Sequence, residues 1–125
     1  MSNSCTSKIR RRAAEQRGRQ AEDKVASLFH GKGYEVLARR LKTGVGEIDL
    51  IVADSRVLVF IEVKSRGNFL DAAYALSSRQ RTRLWQAATM VLACHEEWIR
   101  PVMRFDVALI VSGDIQIIEN AFWLD

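Results

Sequence analysis

The stretch GEIDLIVADSRVLVFIEVK, residues 46–64, decides the fold of this chain. Two runs rich in Val, Ile and Leu flank a short polar segment, and this pattern predicts a β-hairpin. If residues 55–56 form a tight turn, the hairpin register sets Asp49 directly opposite Glu62. Opposed side chains lie on the same face of a sheet, about 5 Å apart at Cβ. Two carboxylates at such a short distance repel each other unless a proton or a cation lies between them. The hairpin therefore predicts a divalent metal ion.

The same register places Glu47 opposite Lys64, on the face that carries the two acids. Nearer the turn this face is apolar. The other face is apolar throughout, with Ile48, Leu50, Val52, Val59, Ile61 and Val63. The hairpin is therefore predicted to be buried on both sides at one end and to reach a charged cluster at the other, where an unpaired carboxylate is costly. The alternative is a cross-strand ion pair between Glu47 and Lys64, with the acids facing water.

The composition is that of one globular domain. The chain has 125 residues, of which 48% are hydrophobic, and this length suits a single core. No apolar run approaches the ~20 residues of a membrane span, and no apolar segment follows the basic N-terminal residues as in a secretory signal. Cys5 and Cys94 form neither a CxxC pair nor a disulfide framework. We expect a cytoplasmic protein without a membrane partner, in which Cys94 is a small core residue.

The net charge of +4 is unevenly distributed along the chain. Residues 1–40 carry ten Lys or Arg and four Asp or Glu, whereas residues 41–125 carry nine and eleven. Residues 1–12 are predicted to form a flexible basic arm, and residues 13–125 a single domain. A basic tract of this kind suits the phosphate backbone of a nucleic acid. A solvated tail without a partner is the alternative.

The hydrophobic periodicity predicts the order α-β-β-β-α-β-β. A stripe of Ala21, Val25, Leu28 and Phe29 indicates a helix over residues 13–32, ended by Gly33. Around the hairpin, strands are predicted over residues 34–41, 104–111 and 115–118. A second helix is predicted from Ser77 or Ser78 to a point between His95 and Trp98. This order gives the α/β class, with a mixed sheet flanked by helices and the second helix as the crossover between parallel strands.

Asp49, followed on the next strand by Glu62-Val63-Lys64, resembles the signature of the PD-(D/E)XK nucleases. Longer strings resemble the YraN-like family of small bacterial proteins: GRQAE at 18–22, GY at 33–34, GEIDLI at 46–51, FIEVKSR at 60–66, RFDV at 104–107 and IENAF at 118–122. The resemblance covers nearly the whole chain after the basic arm. It implies a restriction-endonuclease-like three-layer core, similar to that of archaeal Holliday junction resolvases. The chain departs from the common pattern at Ile48, where the superfamily often has proline, and at Arg40, where the family often has asparagine.

The resemblance also implies roles for the charged residues. Asp49 and Glu62 would hold Mg²⁺ or Mn²⁺, with the backbone carbonyl of Val63 as a further oxygen ligand. Lys64 would orient the attacking water or stabilise charge on the phosphate. Glu22 would bind the metal directly or through water.

Two of these assignments have a plainer alternative in the residues themselves. Gln80 lies near the start of the second helix, where related nucleases often carry a Gln or Lys that faces the site, yet the sequence alone favours a solvent-exposed side chain. Glu22 is otherwise a surface acid near Arg19. Asp106 is predicted to be structural, paired with an arginine or a backbone donor.

The favoured function is a metal-dependent endonuclease acting on DNA, branched or flapped DNA included. The first alternative is a nucleic-acid-binding module that keeps the nuclease fold with little or no activity, and the second is an interaction protein whose acids bind a regulatory cation. DNA is favoured over RNA as the partner. A homodimer is expected by analogy with resolvases. The predicted nucleic-acid contacts are Arg10, Arg11, Arg12, Arg17, Arg19 and Arg66.

Overall fold

The computed structural model describes residues 18–64 and 78–121, with side chains in the second segment described from residue 81 onward. Helix α1 covers residues 18–31 of this part, and helix α2 covers Ser78–Cys94. The strands are β1 Glu35–Thr43, β2 Gly46–Ala53, β3 Val57–Lys64, β4 Val102–Val111 and β5 Asp114–Ile118. A short 3₁₀ turn, Glu96–Trp98, lies between α2 and β4. The predicted basic arm, residues 1–12, lies outside the described residues.

The five strands form one mixed sheet in the order β1-β2-β3-β4-β5. Strands β3 and β4 are parallel, and the other neighbouring pairs are antiparallel. A parallel pair needs a long connection between its strands, and α2 lies in that connection. The sheet confirms the predicted α/β class and the order α-β-β-β-α-β-β, and it is consistent with a restriction-endonuclease-like fold.

The hairpin of β2 and β3 has the predicted register, with Leu50 paired to Ile61 and Ala53 to Leu58. Asp54 makes the tight turn possible. Its carboxylate accepts hydrogen bonds from the backbone N–H groups of Arg56 and Val57, at 2.8 and 2.7 Å. These two bonds lower the pKa of Asp54. Ser55 and Arg56 are not residues that favour a tight hairpin turn by themselves. The hydrogen bonds of an Asx-type turn at Asp54 stabilise the turn instead.

Each face of the sheet packs against one helix, which gives three layers. On one face, Val25, Ala26 and Phe29 of α1 lie against the apolar side chains of the central strands, Leu50, Val52, Val59, Ile61 and Ala108. On the other face, Ala87, Ala88 and Val91 of α2 lie against Ile48, Ile51, Ala53, Leu58, Phe60, Phe105 and Val107. No helix in the described ranges has both the length and the apolar character needed to span a bilayer.

Two predictions about individual residues are wrong. Ile48 packs on the α2 side rather than with Leu50 and Val52, because the regular alternation of β2 is interrupted at Asp49, whose side chain bonds to the β3 backbone. Cys94 is exposed, not part of the core. It is the last residue of α2, beside the end of edge strand β1, and there it lines an open cavity of about 280 Å³ with Leu41 and Met90.

Candidate active site

Asp49 and Glu62 come together at the charged end of the hairpin. The Oδ2 atom of Asp49 accepts a hydrogen bond from the N–H of Val63 at 2.8 Å, which fixes its carboxylate against β3. The carboxyl groups of Asp49 and Glu62 are close enough to interact by a hydrogen bond. Since the side chain of Glu62 is only 15% exposed, water only weakly screens the repulsion between the two carboxylates. The two carboxylates therefore repel each other unless a proton or a cation lies between them.

The pKa values of the two acids reflect this repulsion. The pKa of Glu62 is raised to about 7, first by burial and then by the charge of Asp49, while Lys64 acts in the opposite direction. Burial also raises the pKa of Asp49, and its hydrogen bond from Val63 opposes that effect. The site thus holds more negative charge than its surroundings stabilise. Carboxylate oxygens in such a setting suit a hard divalent cation.

Lys64 lies beside Glu62, one of the two acids. Its Nζ atom lies 3.4 Å from Oε1 of Glu62. Within residues 18–64 and 78–121 this is the ion pair that Lys64 makes, so the cross-strand pair with Glu47 considered from the sequence does not form. Glu47 is instead exposed at the start of β2. The lysine is partly exposed, which leaves its ammonium group accessible to an anion beside Glu62.

Glu22 approaches the same region from helix α1. It is buried, with 7% of its surface exposed, so it is not the surface acid that the sequence alone allowed. The Nε atom of Arg40 lies 3.1 Å from its Oε1 atom and 3.0 Å from its Oε2 atom. Burial raises the pKa of Glu22, Arg40 lowers it, and the charges of Asp49 and Glu47 raise it. Glu22 therefore belongs to the electrostatic surroundings of the two acids.

Arg40 has an unusual backbone for a non-glycine residue in a strand, with φ of +50°. It occupies the position of β1 that faces Asp49, between the paired residues Arg39 and Leu41. The left-handed conformation costs an ordinary residue about 1 kcal/mol or more. In this strained conformation, Arg40 forms its ion pair with Glu22.

Most of the other predicted site residues have side chains outside the described part of the chain. Gln80 belongs to the first turn of α2, but its side chain is outside the described part. Arg19 is exposed on α1. The other predicted nucleic-acid contacts lie outside the described residues: Arg10, Arg11, Arg12, Arg17 and Arg66. Within the described ranges, no three His, Cys, Asp or Glu side chains form a ready-made metal cage, so the candidate site has two acids at its centre.

The structure adds Arg83, which no sequence pattern connects with the acids. A cavity of about 140 Å³ separates the end of the hairpin from α2 and is lined by Gly46, Glu47, Glu62, Arg83, Leu84 and Ala87. The apolar stripe of α2 predicts that the helix packs on the sheet. It does not predict which end of the hairpin the helix crosses, because that depends on tertiary packing.

Asp106 has the predicted structural role. It is fully buried on β4, and its two oxygens accept hydrogen bonds from Nε and Nη2 of Arg104 at 2.8 and 2.9 Å. The backbone N–H of Asn120 donates a third hydrogen bond at 3.0 Å. Asp106 is thus satisfied by a neighbouring arginine and by the chain that follows β5.

Comparison with known sequences identifies the family. Residues 21–110 match the model of the uncharacterised protein family UPF0102. The chain belongs to this family. It is the YraN-like family that the sequence strings resemble.

The UPF0102 relatives match along most of their length. The chain is 49% identical over 115 residues to a UPF0102 protein of Acidiphilium cryptum strain JF-5, covering 92% of this chain and 90% of the relative. It is 42% identical over 117 residues to a UPF0102 protein of Azorhizobium caulinodans, covering 93% and 89%. The segment matched by the UPF0102 model runs from just before Glu22 to the second-last residue of β4, and so includes the whole cluster of acids.

The ion pair of Glu22 in this UPF0102 protein leads to a first prediction. Arg40→Ala leaves Glu22 buried without its partner, and we expect the free energy of unfolding at pH 7 to fall by about 1–2 kcal/mol. Urea denaturation measures this change. Arg39→Ala is the matched control: its partner Asp23 is exposed, so the loss should stay below about 0.5 kcal/mol. Equal losses in the two variants would show that burial of Glu22 does not matter.

Proposed function

We propose that this UPF0102 protein is a metal-dependent endonuclease that hydrolyses phosphodiester bonds in DNA, branched or flapped DNA included. The observation that supports this function best is the half-buried pair of Asp49 and Glu62 with Lys64 beside it. A protein that only binds DNA gains nothing from clustered acids, because they repel the phosphate backbone unless a cation neutralises them.

The donor set fits Mg²⁺ or Mn²⁺. Asp49 and Glu62 would be its carboxylate ligands, the backbone carbonyl of Val63 a further oxygen ligand, and Glu22 a ligand directly or through water. Mg²⁺ is commonly held by one or two carboxylates and keeps several waters, so two central acids suffice. When bound, such an ion polarises a phosphate and lowers the pKa of a coordinated water.

The protein's own groups supply orientation and positive charge. The N–H of Val63 holds the carboxylate of Asp49 in one position, so the acid needs no reorganisation when a ligand arrives. Lys64, next to Glu62, would stabilise negative charge on the phosphate oxygens or hold the attacking water. Arg40 restrains Glu22 in the same region. The predicted arginine contacts, a cytoplasmic location and a homodimer on two-fold junctions remain part of this proposal.

Cleavage assays with a substrate panel test the proposed function. The purified protein is incubated with labelled duplex, single-stranded, flap and four-way-junction DNA in Mg²⁺ or Mn²⁺, beside the Asp49→Ala/Glu62→Ala double variant. We expect metal-dependent cleavage that falls by at least about 1,000-fold in the double variant. We also expect Mn²⁺ to raise the melting temperature of the wild type only, since a ligand of the folded state stabilises it. DNA binding without cleavage in either metal would overturn the proposal in favour of a binding module.

A further inference from the structure

Arg83 reaches the candidate active site across Gly46. If Gly46 carried a Cβ atom, that atom would lie 3.1 Å from Cδ and 3.4 Å from Cγ of Arg83. A distance of 3.1 Å is shorter than nine in ten real Cβ contacts, so a side chain at position 46 would require Arg83 to shift by a few tenths of an ångström. The glycine therefore allows the aliphatic part of Arg83 to lie against the start of β2.

The cavity next to this contact has an unusual charge distribution. Its described lining contains the acids Glu47 and Glu62, and Arg83 is the one basic residue among them. The guanidinium of Arg83 forms no ion pair with a carboxylate of the described residues, although two glutamates line the same cavity. Arg83 is exposed, so its positive charge is available to an anion that enters from solvent.

We propose that the cavity bounded by Glu47, Glu62 and Arg83 receives the scissile phosphodiester of the nucleic acid strand, and that Arg83 binds one of its non-bridging oxygens. This inference rests on the proposed function. A guanidinium presents a planar set of donors that matches the oxygens of a phosphate, and Arg83 would hold them beside Glu62. Lys64, paired with Glu62, lies on the hairpin, whereas Arg83 projects from α2. The phosphate would thus be held between two elements.

Cleavage of the best substrate by Arg83 variants is the first measurement. Arg83→Ala is expected to lower kcat/KM about 100-fold, as for removal of one donor that stabilises the transition state. Arg83→Lys should recover part of this loss because it keeps the charge. Arg56→Ala is the matched control: it removes the same charge at the turn of the hairpin, where Arg56 is exposed, and should stay within about twofold.

Binding without turnover separates a phosphate contact from a structural role. In Ca²⁺, the slope of log affinity against log salt should fall by about 0.7–0.9 in Arg83→Ala and stay unchanged in Arg56→Ala, because one phosphate contact is lost. A methylphosphonate at the mapped cleavage position removes the charge that Arg83 binds. On that substrate, wild type and Arg83→Ala should bind with equal affinity.

The two proposals fail in different ways. If the wild type cleaves no substrate, the proposed nuclease function is wrong, and the salt slope alone decides whether Arg83 contacts phosphate. If the wild type cleaves and Arg83→Ala cleaves equally well with an unchanged slope, the nuclease function stands and the role of Arg83 is wrong. A lower melting temperature of Arg83→Ala with an unchanged slope would show a structural role and also overturn the inference.

Discussion

Glu62→Gln is expected to stabilise the metal-free protein at pH 8 and to abolish the proposed metal-dependent cleavage. Burial and the charge of Asp49 raise the pKa of Glu62 from 4.5 to about 7. The folded state therefore binds this proton more tightly than the unfolded chain does. The stability that the proton provides is present below pH 4.5 and is lost as the pH rises through about 7. Glutamine carries no charge at any of these pH values, so the variant keeps that stability.

The size of the effect follows from the pKa. A rise from 4.5 to about 7 corresponds to about 3 kcal/mol at pH values above 7. Loss of the ion pair with Lys64 offsets part of it, so we expect Glu62→Gln to gain about 2 kcal/mol at pH 8 and almost nothing at pH 4.5. Urea denaturation in EDTA at the two pH values measures the difference.

An exposed glutamate provides the control for this prediction. Glu96 lies on the 3₁₀ turn before β4 and is exposed, so Glu96→Gln should change the stability by less than about 0.5 kcal/mol at both pH values. Mn²⁺ should raise the melting temperature of the wild type and of Glu96→Gln, but not that of Glu62→Gln. If Glu62→Gln were no more stable than the wild type at pH 8, the burial of Glu62 would carry no electrostatic cost.

The sheet and its hairpin could be predicted because their signals are local. Alternation of apolar residues identifies β2 and β3, and the distance along the chain from Asp54 to Val57 fixes their register. That register was enough to predict that Asp49 and Glu62 meet. Local patterns also placed Asp106 correctly, since a charged residue in an apolar strand must find a partner.

The details that escaped prediction depend on three-dimensional context. The side chain of Asp49 bonds to the N–H of Val63, and this contact interrupts the alternation that would have placed Ile48 on the other face. The position of α2 over the hairpin is set by tertiary packing, so the approach of Arg83 to Gly46 has no sequence signal apart from the glycine itself. Arg40 likewise pairs with Glu22 across elements 18 residues apart in sequence.

Asp106→Ala is expected to produce a large loss of stability, about 3–5 kcal/mol. Asp106 is fully buried and accepts three hydrogen bonds, two from Arg104 and one from the backbone of Asn120. Alanine leaves all three donors without this acceptor, and the half-buried charge of Arg104 loses its closest counter-charge. Urea denaturation at pH 7 measures the loss. Asp106→Asn keeps an acceptor for Asn120 but not the charge, so its loss should be smaller.

A variant of the second carboxylate near Arg104 distinguishes the effect of burial on stability from the effect of charge alone. Glu119 lies 3.8 Å from Arg104 and is 66% exposed, so Glu119→Ala should cost less than about 0.5 kcal/mol. Asp106 also anchors the chain after β5, where the N–H of Ala121 donates to the carbonyl of Phe105 at 2.8 Å. Hydrogen exchange in Asp106→Ala should therefore increase first at Asn120 and Ala121. If both alanine variants lost stability equally, solvent would screen the buried pair as it screens the exposed one, and Asp106 would not hold this end of the sheet.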